Sequence, residues 1–138
     1  MKVELRHIHK HFGPVHANND ITLSIPAGTI QGLLGENGAG ESTLMKILSG
    51  FLRADSGDIL LDDRQVIIRA PADAIRHGIG MLHQDPLDFP PLRVIDNFLL
   101  GQRVKGIFLQ RNQALEAFQR LAQQYDFSLD PFAYVESL

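Results

Sequence analysis

The chain has 138 residues, 44% hydrophobic and 21% charged, which suits one modest folded domain and argues against disorder. Its net charge of −3 argues against a general nucleic-acid binder, and the absence of cysteine excludes disulfides and cysteine-ligated metal centres. Residues 1–12 lack the continuous apolar stretch of a signal peptide, and no window reaches the length of a membrane span. Any service to a membrane is therefore expected from the cytosol, through a partner.

Val3 to Ile8 alternates, with Val3, Leu5 and His7 set against Glu4, Arg6 and Ile8, and predicts a strand. His7, His9 and His11 would share a face of it. No carboxylate or cysteine is placed in the sequence to complete a metal shell, so the pattern reads as a solvated face. Ile21 to Ile25 alternates more cleanly, and Pro26-Ala27-Gly28 marks a tight turn. Thr29 to Leu34 is a β-rich apolar run ending on Gly35, and predicts a buried strand. Ser42 to Leu48 has helical spacing through Leu44, Ile47 and Leu48, with Gly50 as the stop.

Between that strand and that helix lies Gly35-Glu36-Asn37-Gly38-Ala39-Gly40-Glu41-Ser42-Thr43. It fits the phosphate-binding pattern G-x-x-x-x-G-K-[ST] at every position but one: Glu41 stands where the pattern has lysine. Glycines let the backbone turn tightly around a phosphate, and the helix start adds its partial positive charge. Ser42 is placed to put a hydroxyl on Mg²⁺, and Thr43 to reach a phosphate oxygen.

Asp55-Ser56-Gly57 predicts a turn. Asp58 to Asp62 and Gln65 to Ile68 predict a hairpin joined at Asp62-Asp63-Arg64. Pro71 opens a short helix to His77, closed by Gly78. Ile79 to Leu82 predicts a second short buried strand. Asp85 to Pro91 reads as a loop, where Asp85 and Asp88 cap local turns rather than form an acid–base pair. Val94 to Leu100 predicts a short helix ended by Gly101. Gln110 to Tyr125 predicts an amphipathic helix with Ala114, Leu115, Phe118, Leu121 and Ala122 on one face.

The segment from Gly35 to Gly50 resembles the Walker A region of ABC-transporter ATPases. Other motifs agree in order. Lys10-His11-Phe12-Gly13 resembles the segment whose aromatic residue stacks on adenine, which makes Phe12 the stacker. Gly57-Asp58-Ile59 resembles the hairpin that follows Walker A. Met81-Leu82-His83-Gln84 resembles the Q-loop, whose glutamine senses the γ-phosphate and Mg²⁺, so the resemblance gives Gln84 a catalytic and metal-contacting role. Pro91-Leu92-Arg93-Val94, Asn97 and Leu100-Gly101 continue the likeness, which covers nearly the whole chain. It is closest to importers of simple sugars and nucleosides, whose ATPase polypeptide usually carries two such domains.

Two departures stand against the matches. Glu41 replaces an attractive charge beside the β- and γ-phosphates by a repulsive one, so binding of ATP and Mg²⁺ should be weakened and hydrolysis lost. The chain also stops at Leu138, where the family continues into its signature motif, the Walker B aspartate, the catalytic glutamate and the switch histidine. Its sheet should then be incomplete, with an exposed apolar edge.

The expected fold class is α/β: a P-loop core with an antiparallel β edge over residues 1–100, then the start of a helical subdomain over 101–138. The resemblance implies the N-terminal part of an importer's ATP-binding subunit, with Phe12, Gly35 to Thr43 and Gln84 on the nucleotide side. Its implied partners are transmembrane permease subunits and a second ATPase domain, at the inner face of the cell membrane. Two other readings stay open: a non-catalytic nucleotide-binding or interaction module, and a decayed gene remnant.

Overall fold

The computed structural model describes residues 1–36, 38–83, 88–100 and 111–138. These divide into two compact units, Met1–Leu82 and His83–Leu138.

In the first unit, β1 (Val3–Phe12), β2 (Val15–Ile25), β3 (Ser56–Leu61) and β4 (Arg64–Val66) form a four-stranded antiparallel sheet in the order β2-β1-β3-β4. α1 (Glu41–Leu48) and α2 (Pro71–Arg76) complete the unit. Leu5, Ile8, Leu44, Ile47, Ile59, Leu61, Ile68, Ala74 and Ile79 form one buried cluster joining sheet and helices. The antiparallel β edge and the mixed α/β class expected from the sequence are both present.

The alternation predicted for β1 breaks in the middle. The register slips between Arg6 and His9, and His7 takes a φ of 52°. A bulge of this kind shifts later side chains to the other face. Ile8 therefore joins Leu5 as a fully buried residue, while His7 turns outward to solvent and pairs with Asp20. β3 begins at Ser56, inside the predicted turn, and β4 ends two residues earlier than its predicted strand. The hairpin turn between them falls at Asp62 and Asp63, both with positive φ.

The two buried strands expected at residues 29–34 and 79–82 are not strands here. Ile30, Leu34 and Leu82 are 103%, 98% and 98% exposed; Ile79 alone among the large apolar residues of these runs reaches the core. An apolar run becomes a strand only when a neighbour accepts its backbone hydrogen bonds. Among the described residues no segment takes that place beside either run.

In the second unit, α3 (Val94–Leu100) packs on α4 (Arg111–Gln124) through Val94, Ile95, Leu99, Ala114 and Phe118. The Phe118 ring meets Phe98 and Phe127 edge-on, at 5.6 and 5.9 Å. The first amides of α3 donate to carbonyls from the end of the chain, Val94 to Ala133 and Ile95 to Pro131. Asn97 closes the preceding loop: its Oδ1 accepts the Phe89 N–H at 2.8 Å and its Nδ2 donates to the Phe89 carbonyl at 3.1 Å. Of the predicted face of α4, Leu121 lies toward solvent, 37% exposed. Gly101, the expected stop of α3, lies outside the described residues. No helix among the described residues is long and apolar enough to cross a membrane.

Candidate functional site

The glycine loop runs into α1. Ala39 donates its N–H to the Glu36 carbonyl at 2.9 Å, closing a turn, and Gly38 and Gly40 have φ of 91° and 95°. Gly40 is the N-cap of α1, and no side chain caps that helix start. The first-turn amides of a helix have no partner within it, so this end is suited to accept an anion. Gly40 also needs to be glycine on space alone. A Cβ there would collide with the Ala17 carbonyl of β2 and lie 2.8 Å from Asn18 Nδ2. Asn37 lies outside the described residues.

Ser42 is exposed on the first turn of α1 and Thr43 is half-buried behind it. Glu41 is half-buried, with its side chain folded back across the loop. A methyl group added to Gly35 would run into the Glu41 carboxylate, with Ala39 Cβ at 2.9 Å. The carboxylate therefore lies against the glycine that opens the loop. The exposed Ser42 hydroxyl fits a Mg²⁺ ligand, whereas the charge of Glu41 opposes phosphate. Among the described residues of the loop, the uncapped start of α1 and the Ser42 hydroxyl fit a metal–nucleotide, and the charge of Glu41 opposes it.

Phe12 ends β1 and pairs with Val15 across the hairpin, and the residue is 46% exposed. Lys10 Nζ lies 5.6 Å from the ring centroid, so the two side chains share a face, as residues two apart on a strand do. Lys10 is opposite Asn18, whose amide reaches Gly40. Phe12 thus stands on the sheet face that holds the end of the loop, about 7 Å further along the strand than Lys10. Gln84 lies outside the described residues.

Lys10 is itself held in place. Its Nζ lies 2.8 Å from Asp55 Oδ1, while Asp55 Oδ2 accepts the His11 N–H at 2.7 Å. The Lys10 ammonium first, and then the His11 N–H, hold the Asp55 carboxyl down at about 2. The roles of Asp55 and Asn18 are not legible in the sequence, because each acts on a residue remote from it along the chain, Asp55 on Lys10 and Asn18 on Gly40.

The histidines cluster on the opposite face of the hairpin. His11 stacks on His16 with centroids 3.7 Å apart, and His9 Nδ1 lies 3.4 Å from His16 Nε2. His7 Nδ1 lies 2.6 Å from Asp20 Oδ1. Burial, and then the nearby His11 and His9, lower the His16 pKa. Among the described residues no group of three or more His, Cys, Asp or Glu is placed to hold a metal ion.

The sequence profile of the ABC transporter family matches residues 18–135. The ribose import ATP-binding protein of Streptococcus agalactiae serotype III is 40% identical over 127 residues, 88% of this chain and 26% of that protein. Its counterpart in Chromobacterium violaceum is 41% identical over 140 residues, all of this chain and 28% of that protein. The chain thus spans about a quarter of the length of the curated relatives it matches. A solved nucleotide-free ATP-binding cassette of an ABC transporter superposes with a TM-score of 0.83 at 24% identity, over 100% of this chain and 59% of that one. A cassette in its ADP conformation gives 0.82, also at 24% identity and over the same shares of the two chains. By the matched span, the relatives and the shared cassette fold, this chain belongs to the ABC transporter family.

Proposed function

We propose that this chain is the nucleotide-contacting N-terminal part of an ABC importer's ATP-binding protein, and that it binds Mg-ATP weakly without turning it over. The observation that carries the reading is the glycine loop seated on β2, with Phe12 on the same sheet face. Identity near 40% to ribose import ATP-binding proteins supports a simple sugar, or a nucleoside, as the solute.

In this reading the amides at the start of α1 and the Ser42 and Thr43 hydroxyls hold the phosphate end, and the Phe12 ring stacks on the base. Gln84 contacts the γ-phosphate side. Mg²⁺, when bound, neutralises the charge of the β- and γ-phosphates. Ser42 is its ligand from this chain, together with Gln84. Glu41 removes the cation that would clamp the transferred phosphate, and this favours binding without hydrolysis. Permease subunits and a second ATPase domain are the partners, at the inner face of the cell membrane. Residues to about 100 form the P-loop part and those beyond it the start of the helical part.

Titration with a fluorescent ATP analogue tests the reading. Saturable, Mg-dependent binding that Gly38→Asp abolishes is the expected result. A titration that stays flat up to millimolar analogue on folded protein refutes it.

A further inference from the structure

Asn18 belongs to no motif in the sequence, yet it is buried in β2 at 3% exposure. Its Nδ2 donates to the Gly40 carbonyl at 3.1 Å. The same carbonyl accepts the Leu44 N–H at 2.9 Å, the bond that starts α1. The backbone of Ala17 fills the space where a side chain on Gly40 would stand. β2 therefore grips the last glycine of the loop at two points, a backbone contact and a side-chain bond. Asn18 Oδ1 is buried without a hydrogen-bond partner among the described residues. An unpartnered buried acceptor is unfavourable, and a leucine in this place would avoid it. What the amide adds is the hold on Gly40.

We propose that Asn18 is a positioning residue: its bond to Gly40 ties the phosphate loop to the strand pair that carries Phe12, and so fixes the span between base and phosphate contacts. The inference rests on the nucleotide reading of the loop. Lys10, opposite Asn18 and in contact with Phe12, completes the connection from one end of the span to the other.

The test compares wild type with Asn18→Leu, which removes the donor without adding charge and keeps the site filled, and Asn18→Asp, which keeps the side-chain shape but puts an acceptor oxygen, charged when ionised, where the Nδ2 donor stood. Two quantities are read: amide hydrogen exchange at Leu44, and the affinities for a fluorescent ATP analogue and for tripolyphosphate, both with Mg²⁺. Both variants should exchange the Leu44 amide about tenfold faster, with the Leu5 and Ile8 amides unchanged. Their preference for the ATP analogue over tripolyphosphate should fall about tenfold, because the phosphates still bind while the base loses register. Unchanged exchange at Leu44 overturns the proposal. So does an unchanged ratio of the two affinities, which is what simple loosening of the loop would give. Wild type that binds neither ligand overturns the nucleotide reading, and the positioning role with it.

Discussion

Reversing the charge at position 41 tests the electrostatics of the loop directly. Glu41 is half-buried, and its carboxylate lies against Gly35 at the loop's opening, so a phosphate seated there would meet it at contact range. Two unit charges about 4 Å apart interact by roughly 4 kcal/mol at an effective dielectric near 20, so replacing − by + spans roughly 8 kcal/mol before screening. Solvent around a half-buried side chain, and a bound Mg²⁺, take up much of that. On the order of 3–4 kcal/mol should survive, which corresponds to roughly 150- to 800-fold in affinity. Glu41→Lys should therefore bind a fluorescent ATP analogue that much more tightly in the presence of Mg²⁺. Glu41→Gln should fall between the two on a logarithmic scale, because it removes the repulsion without adding the attraction. The gain should shrink as salt is raised, since part of the site faces solvent. A Glu41→Lys protein that folds and shows no gain would refute the electrostatic account.

Phe12→Ala should weaken the ATP analogue by about 1–3 kcal/mol, the range for stacking a base on an aromatic ring, and leave tripolyphosphate unchanged; competition titration separates the two. Asp55 gives an acid limb with a definite sign. Its folded pKa, about 2, lies below the ordinary 3.8, so its stabilisation is present above that ordinary value and is lost as pH falls through about 2. Melting temperatures followed from pH 5 to pH 2 should fall less steeply in Asp55→Asn than in wild type; parallel curves would remove Asp55 from the hairpin's stability. Ile8→Ala removes a fully buried side chain from the core of the first unit and should cost about 2–5 kcal/mol in urea unfolding. A cost near zero would place Ile8 back on the solvent face that plain alternation had given it.

Glycine, proline and periodicity encode the local features of this chain. The loop from Gly35 to Thr43 needs its glycines in order, Pro71 opens α2, and the spacing of Ala114 and Phe118 marks the buried side of α4. Each of these depends on residues within a turn or two of one another, so a linear reading finds them. The charge conflict at Glu41 was legible in the same way, from one letter in a fixed pattern. Tertiary structure alone decided the rest. The bulge at His7 exchanged the faces of β1 because strand register depends on the partner strand, and the partner is chosen by packing. The runs at residues 29–34 and 79–82 are apolar, but a strand also needs a neighbour for its backbone, and apolarity does not supply one. Asn18 and Asp55 look like ordinary polar residues in sequence. They acquire their roles only when the sheet brings Asn18 to Gly40 and Asp55 to Lys10, contacts between residues 22 and 45 positions apart.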